Sequence, residues 1–371
     1  MGCAGHPLIK TPNLDSLAAR GTLSNNGYSP NPICVPSRAT MITGNYSHKC
    51  TGEKRNRGEV LDGQFKLPQF LSENGYKTYS SGKLHYLPYK ENKEEQTLHG
   101  FQKAKLAESG RMLATFDPKG EKSGVEDYFD YLSEVGYKGF SRAHAIGNND
   151  LHPTKSPLPQ EHNVDAWVAT EAINFLKEHC ENDSDQPFML HASFPKPHSP
   201  YDPPAPFDTM YDPRDVEAPA VNKDGLERTP TSKVEAINHG IEVFSPEALK
   251  VMKAHYMWLI SFQDKQIGRI IDHLKAINQY ENTIIVFSAD HGDMQGDFGF
   301  VFKASMYEGS CRVPFLISYP KELLQNNVSD ALVGLQDIVP TLVDLVGLDM
   351  PQKVDGISLK SELTEVGHKQ R

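Results

Sequence analysis

The stretch TIIVFSADHG, residues 283–292, joins an almost unbroken apolar run to an acidic residue. Such a run predicts a strand of a parallel sheet covered on both faces, because side chains on both sides of the strand must then be apolar. Ligands of open α/β sheets bind where such strands end. Asp290 and His291 therefore occupy a place that suits metal ligation better than core packing.

Further apolar strands alternate with amphipathic helices on both sides of this run. We predict strands at 77–81, 187–194 and 315–319, and helices at 12–20, 34–43, 67–74, 164–179, 245–274 and 336–346. Turn formers cluster between Asn25 and Pro32, and we predict a loop there. The alternation predicts an α/β fold with a mostly parallel central sheet sandwiched by helices.

Length and composition exclude several classes of protein. The 371 residues fit one large α/β domain, with an insertion-rich region at about 86–160, where the sequence is polar and weakly periodic. With 38 Lys and Arg against 48 Asp and Glu, the chain has no general attraction for nucleic acid. No apolar run approaches the ~18 residues of a membrane span. The five cysteines lack zinc spacing, and their odd number argues against a disulfide framework.

The most informative motif is Cys34-Val35-Pro36-Ser37-Arg38, which opens the helix predicted at 34–43. A cysteine at a helix N-terminus has its thiolate favoured by the helix dipole, and Arg38 follows one turn later. For an arbitrary cysteine, the favoured interpretation would be a buried structural residue, here beside the helix-capping Ser37.

The longer pattern, C-x-P-S-R followed by four residues and T-G, resembles the signature of the type I sulfatases in the alkaline phosphatase superfamily. The resemblance implies that a maturation enzyme oxidises Cys34 to formylglycine (3-oxoalanine). One hydroxyl of the hydrated aldehyde then displaces the alcohol from sulfur, and the other expels sulfate by re-forming the aldehyde.

Two further loops resemble elements of the same family. Gly82-Lys83-Leu84-His85 matches G-K-x-H, whose lysine binds sulfate and whose histidine orients the diol. The segment 196–200 matches K-P-H-x-P of iduronate- and choline-sulfatase-like members, whose histidine faces the ester oxygen. Histidine suits that role because its pKa near 6.5 lets it hold or donate a proton. Alone, Lys83 would be read as a surface lysine and His198 as a loop histidine.

The resemblance assigns roles residue by residue. The implied catalytic residues are Cys34, Arg38, Lys83, His85, His198 and Lys303. The implied substrate-binding residues are Lys83, His198, Lys303 and Lys196, the last of which hints at an anionic substrate but equally fits a solvated loop lysine. The implied ligands of a divalent cation, usually calcium, are Asp290, His291 and the diol at Cys34. His291 replaces the more frequent asparagine, which suits calcium less well because calcium prefers oxygen.

The chain departs from the family pattern at both ends. Family members begin with an apolar strand ending in an Asp-Asp pair that completes the metal site, but no aspartate precedes Asp15. Only a remnant of the small C-terminal subdomain is expected, from about residue 348. We therefore expect a truncated chain with an open edge or a gap in its sheet and with weak calcium binding.

The resulting functional hypothesis is a sulfuric ester hydrolase that acts on a sulfated sugar or small alcohol. One alternative is a phosphonate monoester or phosphodiester hydrolase, because the same pocket accepts another tetrahedral anion. The other is an inactive anion-binding protein that lacks part of the metal site. The sequence does not indicate a compartment.

Overall fold

The computed structural model describes residues 1–52, 56, 59–86, 97–110, 112, 114, 117–119, 122–220 and 244–365. The strands are β1 (Gly21–Tyr28), β2 (Lys77–Gly82), β3 (Lys103–Leu106), β4 (Phe188–Ser193), β5 (Ile285–Ser288), β6 (Phe315–Ser318) and β7 (Asn327–Gly334). The helices are α1 (Pro12–Ala19), α2 (Cys34–Thr43), α3 (Ser47–Cys50), α4 (Leu67–Glu73), α5 (Asp127–Glu134), α6 (Val164–Asn182), α7 (Pro246–Ala276), α8 (Glu308–Cys311), α9 (Ile338–Leu345) and α10 (Lys360–Thr364).

The described strands form two sheets. One contains three strands in the order β3-β2-β4, and both of its pairings are parallel. The other has the order β5-β6-β1-β7, in which β1 and β7 are parallel and β6 is antiparallel to both of its neighbours. The predicted α/β architecture is therefore confirmed, with β6 as the antiparallel exception.

The six predicted helices are present as α1, α2, α4, α6, α7 and α9, and the three long apolar strands are present as β4, β5 and β6. The helix α2 ends at Gly44, which adopts a left-handed φ of 71°. A Cβ at Gly44 would lie 3.1 Å from Cβ of Val339 on α9, so this turn needs glycine for both its conformation and its close packing.

The loop predicted between Asn25 and Pro32 is wrong for its first part, because β1 continues to Tyr28. The polar residues that suggested a turn instead bond to the neighbouring strand β7. The amide of Asn26 donates to the carbonyl of Asp330 (2.7 Å), and that of Asn25 donates to the Asp330 carboxylate (2.9 Å). Tertiary pairing thus overrides the local preference for a turn.

The region at 86–160 was predicted to be rich in insertions, and its boundaries stay a prediction because residues 87–96 lie outside the described part. It does contribute regular structure that the sequence did not reveal. The strand β3 pairs with β2, and the helix α5 buries Tyr128 and Leu132 against Trp167 of α6. A short strand flanked by polar loops carries too weak a periodic signal to be recognised.

A cavity of about 1340 Å³ separates the two sheets, and both β4 and β5 line it. Ile267, Ile270 and Leu274 of α7 line it as well, together with Leu342 and Leu345 of α9. The side chains of β5 are only half-buried although they are apolar. In the part of the chain that the structure describes, β4 and β5 are not paired with each other, and the cavity lies between them. The truncation and the gap expected from the family resemblance stay predictions. In the described residues, no helix is both long and apolar enough to cross a membrane.

Candidate active site

Arg38 connects the helix α2 to the ends of three strands. Its Nε donates to Oδ2 of Asp290 (2.7 Å), just after β5. Its Nη1 donates to the carbonyl oxygen of Lys83, just after β2, and to Oγ of Ser193, the last residue of β4, both at 2.8 Å. Two predicted site residues, Lys83 and Asp290, are therefore brought together with the end of β4 around one guanidinium.

Cys34 is the first residue of α2 and is 1% exposed. Its Sγ lies 3.2 Å from Nε2 of His291, and the other ring nitrogen of His291 lies 2.7 Å from the carbonyl oxygen of Gly292. A carbonyl only accepts, so Nδ1 of His291 carries a proton and Nε2 is turned towards the sulfur.

The local charges favour a thiolate at position 34. Burial would by itself raise the pKa of the Cys34 thiol, but the charges of Lys83 and His291 outweigh burial and place that pKa well below its usual value. Burial would lower the pKa of His291, yet Asp290 and Cys34 raise it. The surroundings therefore stabilise a negative charge on the group at position 34.

His198 and Lys303 form the opposite wall of the site. Nζ of Lys303 lies 2.9 Å from Nε2 of His198, and Nδ1 of His198 lies 2.8 Å from the carbonyl oxygen of Ser199. Nδ1 is therefore protonated, and Nε2 accepts from the Lys303 ammonium. Burial, together with the charges of Lys303 and Lys83, lowers the pKa of His198 to about 3, so this imidazole is neutral near pH 7.

The loop after β2 brings Lys83 to the cavity, and its main chain is held by a buried acid. Lys83 is 3% exposed and lines the cavity together with Arg38, His198 and Lys303. The main-chain amides of Leu84 and His85 donate to Oε1 of the buried Glu108 (2.7 and 3.0 Å). His85 has a φ of 59°, and its contact with the diol stays a prediction.

Lys196 has other partners than the predicted substrate. Its side chain is 10% exposed, and its ammonium pairs with the carboxylate of Asp202. The same ammonium donates to the carbonyl oxygens of Pro200 (2.7 Å) and His198 (3.4 Å). These partners all lie within its own loop, and substrate binding by Lys196 stays a prediction.

Sequence reasoning missed two residues that hold the site in place. Ser193 accepts from Arg38, and Asp293 accepts from the hydroxyl of Tyr201 (2.9 Å) and from the main-chain amide of Phe302 (3.1 Å), next to Lys303. The only feature of the sequence that points to Asp293 is its position three residues after Asp290. The sequence assigned a role to neither residue, although Asp293 directly follows the stretch Asp290-His291-Gly292.

Three donors come close enough to share a metal ion. The ligand atoms of Cys34, Asp290 and His291 all lie within 4.8 Å of one another. They provide one carboxylate, one imidazole and, after maturation, diol oxygens. These three groups are therefore close enough together to bind one divalent cation. For calcium the set is poor, because calcium takes six to eight oxygen ligands and its affinity rises with their charge. Oδ2 of Asp290 is also engaged by Arg38.

Comparison with known proteins agrees with this geometry. The sulfatase family model matches residues 1–348, and the chain therefore belongs to the sulfatase family. It is 33% identical to an arylsulfatase of Clostridium perfringens, covering 98% of this chain and 76% of that protein. It is 27% identical to a choline-sulfatase of Rhizobium meliloti, covering 95% of this chain and 66% of that protein.

The fold is shared with a solved hydrolase. The phosphonate monoester hydrolase of Agrobacterium radiobacter superposes with a TM-score of 0.78, at 24% identity, covering 98% of this chain and 74% of that chain. This likeness establishes the common α/β architecture.

Proposed function

We propose that this chain hydrolyses sulfate monoesters through a formylglycine formed from Cys34. One observation carries the proposal. The Cys34 sulfur lies 3.2 Å from Nε2 of His291, and the charges of Lys83 and His291 favour a negative charge on it. The same surroundings favour an ionised hydroxyl of the formylglycine hydrate, which is the nucleophile that attack on sulfur requires. A dedicated maturation enzyme would have to supply the oxidation.

The cationic side chains have a role in binding. Lys83 and Lys303 line the cavity next to Cys34 and offer ammonium groups to the sulfate oxygens. Arg38 is committed to Asp290, so it orients the site and leaves the sulfate to the two lysines. Negative charge that develops on sulfate oxygens in the transition state would be stabilised in this partly enclosed site.

His198 and Lys303 have a role in proton transfer. The alcohol leaves as an alkoxide unless it receives a proton, and the 2.9 Å contact holds one proton between Lys303 and His198. His198 is neutral and its Nδ1–H is held by Ser199, so the proton that the alkoxide receives comes from Nζ of Lys303 through Nε2 of His198, and Lys303 is left neutral.

Asp290 and His291, with the diol at Cys34, would hold a divalent cation. A bound cation supplies Lewis-acid stabilisation and lowers the pKa of a coordinated hydroxyl. Asp290 is suited to the role because its pKa lies below the usual range: Arg38 and His291 outweigh the effect of burial, and the carboxylate stays ionised.

The substrate class is a sulfate ester of a sugar or of a small alcohol. Membership of a family with an arylsulfatase and a choline-sulfatase among the relatives supports sulfate monoesters in general. Phosphonate monoester or phosphodiester hydrolysis is the second candidate, because the two lysines would bind a phosphonate anion equally and the fold is shared with such a hydrolase.

The test is a comparison of aryl sulfate, aryl phosphate diester and aryl phosphonate monoester with the chain co-expressed with a formylglycine-generating enzyme. We expect the highest kcat/KM on the sulfate ester and its loss in Cys34→Ala. The control Cys50→Ala removes another fully buried thiol that packs in the core, and it should keep the activity. A clear preference for the diester or the phosphonate would reverse the assignment. Sulfate binding without turnover of any ester would favour an anion-binding protein.

A further inference from the structure

Hydrogen bonds from the side chain of Lys196 close the loop that carries His198. We call these contacts of Lys196 with His198, Pro200 and Asp202 the bracket. The side chain of Lys196 bends back along its own loop and reaches the carbonyl oxygens of His198 and Pro200 and the carboxylate of Asp202. These three acceptors belong to residues two, four and six positions further along the chain. The loop is therefore folded around one ammonium group.

The ammonium of Lys196 has no hydrogen left for a substrate. An ammonium offers three N–H donors, and this one faces three acceptors within its own loop. The side chain is 10% exposed and its partner Asp202 is 8% exposed, so the ion pair is largely removed from water. Breaking such a pair to bind an external anion would leave Asp202 buried without its counter-charge.

The bracket is tied to the rest of the domain at both sides. The main-chain amide of Lys196 donates to Oδ1 of Asp165 on α6 (3.4 Å), and its carbonyl accepts from Nε2 of Gln263 on α7 (2.6 Å). Oδ2 of Asp202 lies 3.2 Å from Nε2 of His144. The loop is thereby fixed against two long helices and against the segment that carries His144.

From these contacts we propose that Lys196 and Asp202 are positioning residues that hold the imidazole of His198 against Lys303. This inference rests on the proposed function, because it gives the pair its role in the same reaction. The carbonyl that Lys196 binds belongs to His198 itself, so a shift of the bracket moves the imidazole directly. The pair acts through His198 and does not touch the substrate.

The first test separates positioning from substrate binding by steady-state kinetics of Lys196→Met. Positioning predicts a fall in kcat of roughly 10- to 100-fold, since a small misplacement of a catalytic group has effects of this size, with KM changed by less than about twofold. The loss should be equal for an anionic and a neutral sulfated sugar. A raised KM confined to the anionic sugar, with kcat unchanged, would overturn the proposal and restore Lys196 to substrate binding.

A matched control is available in the same proline-rich part of the chain. Lys155 also pairs with an aspartate, Asp208, but its side chain is 71% exposed. The neighbouring main chain bonds the loop of His198 through the amide of Thr154, a contact that a change of the Lys155 side chain leaves in place. Lys155→Met should leave both kcat and KM close to those of the unaltered enzyme. An equal loss of kcat in Lys155→Met would show that any broken lysine–aspartate pair in this region has the same effect, and it would overturn the assignment.

A double variant keeps the test valid if Lys196→Met folds poorly. Lys196→Met combined with Asp202→Leu removes both charges, and replacing a buried ion pair by apolar residues often restores stability. Its kcat should stay low although its melting temperature recovers. A double variant with the full kcat of the unaltered enzyme would contradict a positioning role.

A second readout does not depend on sulfatase activity. Hydrogen exchange of the loop at 195–202, followed by mass spectrometry, should rise in Lys196→Met and stay unchanged in Lys155→Met. If the unaltered enzyme hydrolyses no sulfate ester, the proposed function fails on its own, and exchange still decides whether the bracket holds the loop. Unchanged exchange in Lys196→Met would overturn the bracket itself.

Discussion

Nε of Arg38 donates to Oδ2 of Asp290 across 2.7 Å, and both side chains are nearly removed from solvent. This contact joins the helix that begins with Cys34 to the strand end that carries the candidate metal ligands. Because the same guanidinium also holds the loops after β2 and β4, the position of the nucleophile depends on it.

Arg38→Ala should lower the free energy of unfolding by about 3 to 5 kcal/mol, since it leaves Asp290 buried without its partner. Activity should fall as well, because three loops lose their common anchor. Arg214→Ala is the control, as Arg214 forms an exposed pair with Asp212 and should change stability little. Chemical denaturation measures the free energy of unfolding of both variants. Equal free energies of unfolding for the two variants would show that the ion pair of Arg38 does not stabilise the fold.

Asp165 makes the stability of the fold depend on pH. Burial raises its pKa to about 7, although Lys196 acts in the opposite direction, and its Oδ2 has no hydrogen-bond partner in the described residues. An unfolded aspartate titrates near ~3.9. The folded state thus binds more protons between about pH 4 and pH 7, and its stability falls as pH rises through that window.

Asp165→Asn should therefore flatten the pH dependence of the melting temperature between about pH 4 and pH 7 and increase stability above pH 7. The asparagine keeps an oxygen that can accept from the amide of Lys196 and removes the buried charge. Asp344→Asn, at an exposed position, is the control and should leave the slope in this window unchanged. If the melting temperature of Asp165→Asn depended more steeply on pH, the folded protein would stabilise the ionised form of Asp165, contrary to this prediction.

Substitution of the glycines that follow two helices distinguishes the cost of backbone strain from the cost of a steric clash. Gly44 and Gly347 have left-handed φ values of 71° and 73°, but only at Gly44 would a Cβ meet neighbours, among them Val339. Gly347→Ala should cost about 1 kcal/mol of unfolding free energy. Gly44→Ala should cost at least about twice that and also reduce activity, because α2 carries Cys34. Equal costs would show that Val339 yields without penalty.

The secondary structure was most predictable where the pattern was long and apolar. The run at 283–288 and the helix α7 carry strong periodic signals, and both were predicted within a few residues. The polar strand β1 was missed because its asparagines are satisfied by Asp330, more than 300 positions away. The motifs predicted that Cys34 and His291 would meet. The bracket around Lys196 was not predictable, because it depends on how the loop folds back on itself.

The partly open cavity between β4 and β5 should make the chain associate. Unpaired strand edges and half-buried apolar side chains recruit other strands, so we expect binding of a hydrophobic dye and association that increases with concentration. Ile284→Lys, at the cavity wall, should reduce both effects. Val328→Lys, on the 60% exposed side chain of β7, is the control and should reduce neither. A monodisperse chain that binds no dye would contradict this interpretation of the cavity.

Calcium binding by the chain should be weak. The described residues supply one carboxylate, one imidazole and the group at position 34, and sites of low charge bind calcium with Kd values of roughly 10⁻⁴ to 10⁻³ M or weaker. Calorimetric titration measures this directly, and Asp290→Asn should abolish the remaining heat. Tight stoichiometric binding would show that other oxygen ligands complete the site.

The central claim is that the group at position 34 is the nucleophile once it has been converted to formylglycine. Preparations that differ in the extent of conversion can be obtained by varying the level of the maturation enzyme, and mass spectrometry of the peptide containing residue 34 gives the converted fraction of each. We predict that the rate of aryl sulfate hydrolysis is proportional to this fraction and extrapolates to zero when Cys34 is unmodified. A rate that is independent of the converted fraction would contradict the account.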